Sequence, residues 1–310
     1  MFTKEQLYEI AKSYYVEGLT QLEIGKKMNS SRIGISRALK KCLREGIVEI
    51  KINNPNSFYE MEERIKDKFN LKDVKIVNYD DDNDKLFINL ARGVSNLMDD
   101  IVSKNDYIGI GWGKTLSYVN IETKDKYPNK TFVSLIGGYG NIPIERHSNN
   151  ITSKISNIYN AKSMLLLTPS LIEDKQMKDM ILKDRTIKEV FKAYKKLQCA
   201  IISIGSFQDI ESSIYRSGYF LKEDFNEIKE NDICMDMVSS IFVNTKGEEK
   251  KLNILDRFIG IDGEDLKNIP NVVAVGGGKK KECSILMAVK KGYVSTLITD
   301  EKTGEYILNN

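Results

Sequence analysis

Thr20-Gln21-Leu22-Glu23-Ile24-Gly25-Lys26-Lys27-Met28-Asn29-Ser30-Ser31-Arg32-Ile33-Gly34-Ile35-Ser36-Arg37-Ala38-Leu39 carries two helix starts in quick succession. Thr20 followed three residues later by Glu23 is a capping box, in which each side chain satisfies a backbone amide at a helix start. Leu22, Ile24 and Met28 offer that short helix an inward face, and Asn29-Ser30 ends it. Ser31 then caps a helix from Arg32 to about Glu45, with Ile35, Ala38, Leu39 and Cys42 or Leu43 at helical spacing. Upstream, Thr3 and Gln6 form another capping box, and Leu7, Ile10, Ala11, Tyr14 and Tyr15 recur helically until Gly18. Downstream, Gly46 stops the helix and Ile47–Ile52 alternates like a strand. A leading helix and two further helices about a tight turn make the helix-turn-helix pattern, here of winged type, over residues 1–53.

Charge agrees with that reading. The 310-residue chain has a net charge of only +3. Residues 1–52 hold ten Lys or Arg against six Asp or Glu, while the remainder holds 37 against 38. From Arg32 to Arg44 there are five basic side chains and no acidic one. A local basic excess is what neutralising phosphates requires. The helix from Arg32 is therefore the candidate for major-groove entry, with Ser31, Arg32, Ile33 and Ser36 towards base edges and Arg37, Lys40 and Lys41 towards phosphate. Thr20 and Gln21, at the start of the preceding helix, complete the DNA-facing set.

Asn53-Asn54-Pro55-Asn56-Ser57 is a breaker cluster, so residues 54–58 read as a linker and 59–310 as a second domain. In that domain apolar runs alternate with helical segments. Val74–Val77, Tyr107–Gly111, Thr131–Ile136, Met164–Leu167, Ala200–Ile204, Val272–Val275 and Val294–Ile298 read as strands. Leu86–Ile101 and Ile151–Ala161 read as helices, and Asp174–Leu197 as one or two helices. This is the signature of an open, mostly parallel, Rossmann-like α/β sheet, in which ligands collect at the carboxyl ends of the strands. The acidic loop Asp80–Asp84 lacks the spacing of a calcium loop and reads as a solvated turn.

Four strand ends are rich in glycine: Gly109–Thr115, Ile136–Gly140, Ile204-Gly205-Ser206 and Val275–Lys281. Backbone amides at such turns, joined by a hydroxyl or an ammonium, suit a phosphate. The first does not have Walker A spacing, so nucleotide binding is not implied. The candidate ligand residues are Gly111, Trp112, Gly113, Lys114, Thr115, Gly137, Gly138, Tyr139, Gly205, Ser206, Asp236 and Lys281. Trp112 is equally suited to stacking on a sugar and to packing its turn. Arg146 and His147, the sole histidine, lie just beyond the Gly137-Gly138 turn.

These residues resemble the SorC/DeoR-type bacterial sugar-responsive regulators. Tyr14–Ile24, Ser31-Arg32, Ile35–Leu39 and Glu45–Val48 are similar to that family's DNA-binding start, although Gly34 departs from it by placing a helix-weakening residue in the recognition helix. Gly111–Thr115, Leu135–Gly138, Thr168-Pro169, Gly276-Gly277-Gly278 with Lys281 and Ser284-Ile285, and Leu297–Glu301 with Thr303 extend the similarity over nearly the whole chain. The family's acidic segment falls on Asp232–Met237, where its usual Gly-acid pair becomes Asp236-Met237. The resemblance implies an effector domain related to sugar-phosphate isomerases and deaminases. It also implies a phosphorylated sugar ligand and a homodimer or homotetramer on palindromic operator DNA.

Other classes fit less well. The four cysteines, Cys42, Cys199, Cys234 and Cys283, are widely spaced and read neither as a disulfide framework nor as a zinc site. No apolar run approaches the ~18 residues that span a membrane, and the opening residues do not read as a signal peptide, so a cytoplasmic protein is expected. No cofactor or metal is expected. The alternative to a regulator is a sugar-phosphate isomerase- or deaminase-like enzyme with an accessory DNA-binding domain, against which stands the lack of a general-base constellation around the glycine turns.

Overall fold

The computed structural model describes residues 2–49, 58–207, 213–218 and 220–310. The chain divides into two compact units, Met1–Ser57 and Phe58–Asn310.

Among its described residues the smaller unit has three helices, α1 (Lys4–Tyr15), α2 (Gln21–Lys27) and α3 (Arg32–Arg44). Each starts at its expected cap. Thr3 and Gln6 exchange hydrogen bonds at 3.0 and 3.2 Å. Thr20 and Glu23 do so at 2.8 and 3.3 Å, and Ser31 Oγ accepts from the Gly34 amide at 3.1 Å. Leu7, Ile10, Ala11, Ile24, Ile35, Ala38, Leu39 and Cys42 form its core. Leu22 does not join them. It is 57% exposed, and Cys42, not Leu43, takes the inward position near the end of α3. The turn between α2 and α3 closes tightly: Ser30 N donates to Gly25 O at 2.8 Å, and Asn29 adopts a φ of +48°. A Cβ on Gly25 would lie 2.7 Å from Ser30 O, so glycine is required where the turn folds back on α2. At Gly34, the residue that departs from the family pattern, a Cβ would lie 2.6 Å from Ser30 Oγ. The helix-weakening residue makes room for the turn's hydroxyl. The strand expected over Ile47–Ile52 is absent from Ile47–Glu49, and the rest of it lies outside the described residues.

The larger unit is built on a parallel sheet. Its strands are β1 (Asp73–Val77), β2 (Tyr107–Ile110), β3 (Thr131–Ser134), β4 (Lys162–Met164), β5 (Cys199–Ser206), β6 (Ile233–Met237), β7 (Ile241–Asn244), β8 (Glu249–Lys250), β9 (Asn271–Val275) and β10 (Thr296–Asp300). Seven strands run parallel in the order β1-β10-β9-β5-β2-β3-β4, while β6, β7 and β8 continue antiparallel from β5. Successive side chains on a strand point to opposite faces. Accordingly Ile201, Val273 and Val275 enter one core with Leu90, Val94 and Met98 of the helix Asn83–Lys104. Ala200, Ile202, Val272 and Ala274 enter the other, with Ile285 and Leu286 of the helix Glu282–Lys290. Burial on both faces explains why these strands read as unbroken apolar runs.

One sequence expectation shifts, and another is settled between its two alternatives. The strand expected at Met164–Leu167 is the edge strand Lys162–Met164, and Leu167 is 76% exposed. An apolar run at a sheet edge need not be buried, because one flank has no neighbouring strand. The Asp174–Leu197 segment is two helices, Lys175–Ile181 and Arg185–Tyr194, each capped by an aspartate, Asp174 and Asp184.

Candidate functional site

Chain order steps from β2 outward to β3 and β4, then returns to place β5 on the opposite flank of β2. Such a reversal parts the two strand-end loops and leaves a crevice at the carboxyl ends. A cavity of about 520 Å³ opens there. Its wall after β2 is Trp112, Gly113, Lys114 and Thr115; at the end of β5 it is Ser203–Ser206; after β9 it is Gly277–Lys281. Tyr79, Asp236 of β6, Arg146, Arg216 and the start of the helix Asn83–Lys104 complete it.

Each wall has a local cause. Gly113 sits at φ +113°, a conformation closed to other residues without strain, and donates to Arg146 O at 2.9 Å, which brings that arginine to the cavity. Ser203 Oγ donates to Trp112 O at 2.7 Å and ties β5 to the β2 turn. After β9, Gly278 at φ +88° turns the chain, and its amide donates to Asp300 Oδ2 at 2.7 Å. Asp300 is fully buried and also accepts from Thr303 N and Thr303 Oγ1 at 3.0 and 2.7 Å. That carboxylate organises the lysine-rich loop without lining the cavity. Lys281 Nζ donates to Ile204 O at 2.8 Å and Ser206 Oγ to Lys280 O at 2.7 Å, so the loop is fastened to β5 at two points.

The cavity is electropositive. Lys114, Arg146, Arg216, Lys279, Lys280 and Lys281 line it, against one carboxylate, Asp236. Lys114 is held by Asp84 at 2.7 Å and lies 4.8 Å from the centre of the Phe87 ring. That ion pair lowers the Asp84 carboxyl below its usual range, chiefly through its hydrogen bond to Lys114. Asp236 is displaced the other way. Burial pushes it up to about 7, although the Ser239 amide, donating at 2.7 Å, and the nearby Lys281 charge oppose the shift.

Eight of the twelve ligand candidates named from sequence are brought together here: Trp112, Gly113, Lys114, Thr115, Gly205, Ser206, Asp236 and Lys281. Gly111, Gly137, Gly138 and Tyr139 are not among the lining residues. Their glycines serve close packing. A Cβ on Gly137 would lie 2.3 Å from Thr168 O, and one on Gly111 3.2 Å from Ile202 Cα. Tyr139 is buried beneath the site, with its hydroxyl 2.6 Å from Ser239 Oγ and its ring 4.5 Å from that of Trp112. Trp112 therefore packs its turn on one side and edges the cavity on the other. His147 is turned away, with Nε2 3.3 Å from Ile142 O.

Residues 53–309 match the family described as "Putative sugar-binding domain". The chain belongs to this family. The sugar-binding-domain match covers all of the larger unit but its last residue. Among relatives, the chain is 27% identical to the "Deoxyribonucleoside regulator" of Bacillus subtilis (strain 168), over 99% of this chain and 98% of that protein. The full-length sorbitol operon regulator SorC of Klebsiella pneumoniae shares the fold, with a TM-score of 0.81 over 99% of both chains at 24% identity. A DeoR family transcriptional regulator from Listeria monocytogenes superposes with a TM-score of 0.72 at 29% identity, covering 81% of this chain and 100% of that one.

Within this sugar-binding-domain chain, sequence reading missed Tyr79, Asn83, Leu86, Phe87 and Arg216 as cavity residues. None adjoins a glycine-rich strand end, so no local signal marks them. The Asp80–Asp84 turn does carry one trace: Asp82 caps the long helix by accepting from Asp84 N at 2.9 Å and so presents Asp84 to Lys114.

The DNA-facing candidates lie at the start of α2 and along α3. Ser31, Arg32, Ile33, Arg37 and Lys40 are exposed, Ile33 to 66%, while Ser36 and Lys41 are half-buried. Lys41 lies 3.5 Å from Glu45. Thr20 is exposed, its hydroxyl engaged by Glu23 at 2.7 Å, and Gln21 beside it is half-buried. Among the described residues no helix is long and apolar enough to cross a membrane.

Proposed function

We propose that the chain is a DNA-binding transcription regulator of a carbohydrate-utilisation operon, controlled by a phosphorylated sugar. Residues 1–53 are its helix-turn-helix domain, 54–58 its linker and 59–310 its effector domain. It acts in the cytoplasm as a homodimer or homotetramer on palindromic DNA. The observation that carries the effector is the cavity at the β2/β5 reversal, with six cations and one carboxylate in its lining. Cations clustered with turn glycines suit a phosphate. Ser203, Ser206 and Asn83 add hydroxyl and amide groups, and Asp236 a carboxyl, to which a polyol can hydrogen-bond. The names of the relatives, a deoxyribonucleoside regulator and a sorbitol operon regulator, support the same reading.

DNA binding is supported by α3, whose exposed start joins Arg32 and Ile33 to a basic flank of Arg37 and Lys40. Arginine is suited to guanine edges, and an exposed aliphatic side chain to a thymine methyl. The sugar acts through its different affinity for DNA-competent and DNA-incompetent states.

The test is thermal unfolding against free and phosphorylated sugars. A ligand at a hundred times its Kd stabilises a fold by about 2.7 kcal/mol, a shift of several degrees. A shift with one phosphorylated sugar and none with its free form is expected. Equal shifts with the free sugar, or none with any phosphorylated member, would overturn the phosphate reading.

One observation favours a second reading. Asp236 lines the cavity with its carboxyl pushed up by burial to about 7, the range that a general acid or base in an isomerase uses. Turnover of sugar phosphates by the purified protein would support that enzyme.

A further inference from the structure

The turn between β6 and β7 is held in a conformation that its residues resist. Ser240 N donates to Met237 O at 3.1 Å across it, and the two central residues, Val238 and Ser239, have φ values of +54° and +56°. Positive φ at both central positions is what Asn-Gly turns supply, and a β-branched residue there is an outlier. The turn is also buried at Val238, Ser239 and Ser240, whereas connecting segments normally run over the surface. Such strain persists only where the surroundings hold it, and it gathers at functional sites.

Ser239 is held at two points. Its amide donates to Asp236 Oδ1 at 2.7 Å, and its hydroxyl lies 2.6 Å from that of Tyr139. Tyr139 is itself fixed through its neighbour Gly138, whose amide donates to Thr168 O and whose carbonyl accepts from Ser170 N, both at 2.8 Å. The Tyr139 ring lies 4.5 Å from that of Trp112. From beneath, Tyr139 therefore reaches two residues of the cavity wall, Trp112 through its ring and Asp236 through Ser239. Asp236 is buried, and among the described residues its carboxyl accepts from the Ser239 amide alone.

We propose that Tyr139 and Ser239 are positioning residues of the effector site, whose hydroxyl pair holds the left-handed turn so that Asp236 presents Oδ2 to a hydroxyl of the sugar. The role rests on the reading of the cavity as the effector site. Neither residue touches the ligand. The lysine loop after β9 takes the phosphate, and the turn serves the hydroxyl-bearing end. Without the hydroxyl pair the turn relaxes out of its left-handed conformation, the Ser239 amide withdraws, and the carboxyl loses its direction.

The experiment compares full-length wild type with Tyr139→Phe, Ser239→Ala and the double variant. Tyr139→Phe keeps the ring against Trp112, and both single changes remove only an oxygen. Hydrogen–deuterium exchange is resolved at the Ser239 amide, and calorimetric titration uses inorganic phosphate and a panel of pentose 5-phosphates and hexose 6-phosphates. Exchange at Ser239 should quicken roughly tenfold in Tyr139→Phe, the equivalent of one hydrogen bond. The sugar phosphate that binds wild type should weaken by a similar factor in each single variant, and inorganic phosphate should not. The double variant should lose no more than either single one, because the two hydroxyls act as a unit. Unchanged exchange at Ser239 in Tyr139→Phe overturns the positioning role, as do equal losses for sugar phosphate and inorganic phosphate, or additive losses in the double variant. Failure of every panel member to bind wild type overturns the effector reading instead.

Discussion

Lys281 and Ile204 are 77 residues apart, and the ammonium of one donates to the carbonyl of the other at 2.8 Å. That bond joins the loop after β9 to the end of β5 and holds a positive charge at the mouth of the parallel sheet. Lys281→Ala removes both the charge and the tie. Because Lys281 belongs to the larger unit, the expected outcome is intact DNA binding with loss of the response to a phosphorylated sugar. Operator binding, followed by mobility shift with and without the sugar, checks this. Loss of DNA binding in a folded Lys281→Ala protein would contradict the division of labour.

Gly277 is the tightest point of the same loop. A Cβ there would lie 2.3 Å from Asp300 Oδ2, and that carboxylate is held by Gly278 and Thr303 and cannot retreat. Gly277→Ala should cost on the order of 1–3 kcal/mol of stability. Gly292 has φ +70° with nothing within 4 Å of the added Cβ, so Gly292→Ala should cost only the left-handed strain of about 1–2 kcal/mol. Urea unfolding ranks the two, and weakened sugar-phosphate binding is expected of Gly277→Ala alone.

On α3 the base-facing and phosphate-facing residues should separate by salt dependence. Arg32→Ala should cost about 1–3 kcal/mol on the cognate operator and relax its specificity, whereas Lys40→Ala should weaken all sequences alike and reduce the salt slope by about 1. Fluorescence anisotropy at several salt concentrations measures both. Equal losses on operator and random DNA for Arg32→Ala would remove it from the readers.

Asp236 makes stability depend on pH. Its folded pKa of about 7 lies above that of an unfolded carboxylate. Between those two values the folded state binds more protons than the unfolded one, so stability falls as pH rises through the window and the full penalty is present above 7. Asp236→Asn should therefore melt higher, relative to wild type, at pH 8 than at pH 5. The same ionisation adds a negative charge to the cavity, so sugar-phosphate affinity should weaken as pH rises past 7 in wild type and less in Asp236→Asn. Calorimetric titration at both pH values reads this, and identical pH profiles would refute it.

The features legible in the chain are those made within a few residues. Thr3 with Gln6, Thr20 with Glu23 and Ser31 with Gly34 cap helices across three positions, so their geometry follows from spacing alone. The apolar runs of β5 and β9 were legible because both sheet faces are covered. The glycine-rich turns were legible as turns, but not by purpose. Gly113 and Gly278 shape the cavity, while Gly137 and Gly111 admit neighbouring backbone, and all four look alike in sequence. Leu22 and Leu167 misled because hydrophobicity alone does not say which side of a helix or sheet edge is covered.

By itself, then, the sequence determined a three-helix unit with a basic third helix, and an alternation of strands and helices ending in phosphate-suited turns. Those are outcomes of local hydrogen bonding, periodicity and charge. Only the tertiary structure decided which strand ends become neighbours. Inserting β5 between β9 and β2 sets Ser203 against Trp112 and Lys281 against Ile204. Strand order is chosen by burial of whole faces across the sheet, a cooperative quantity that no short window of residues contains.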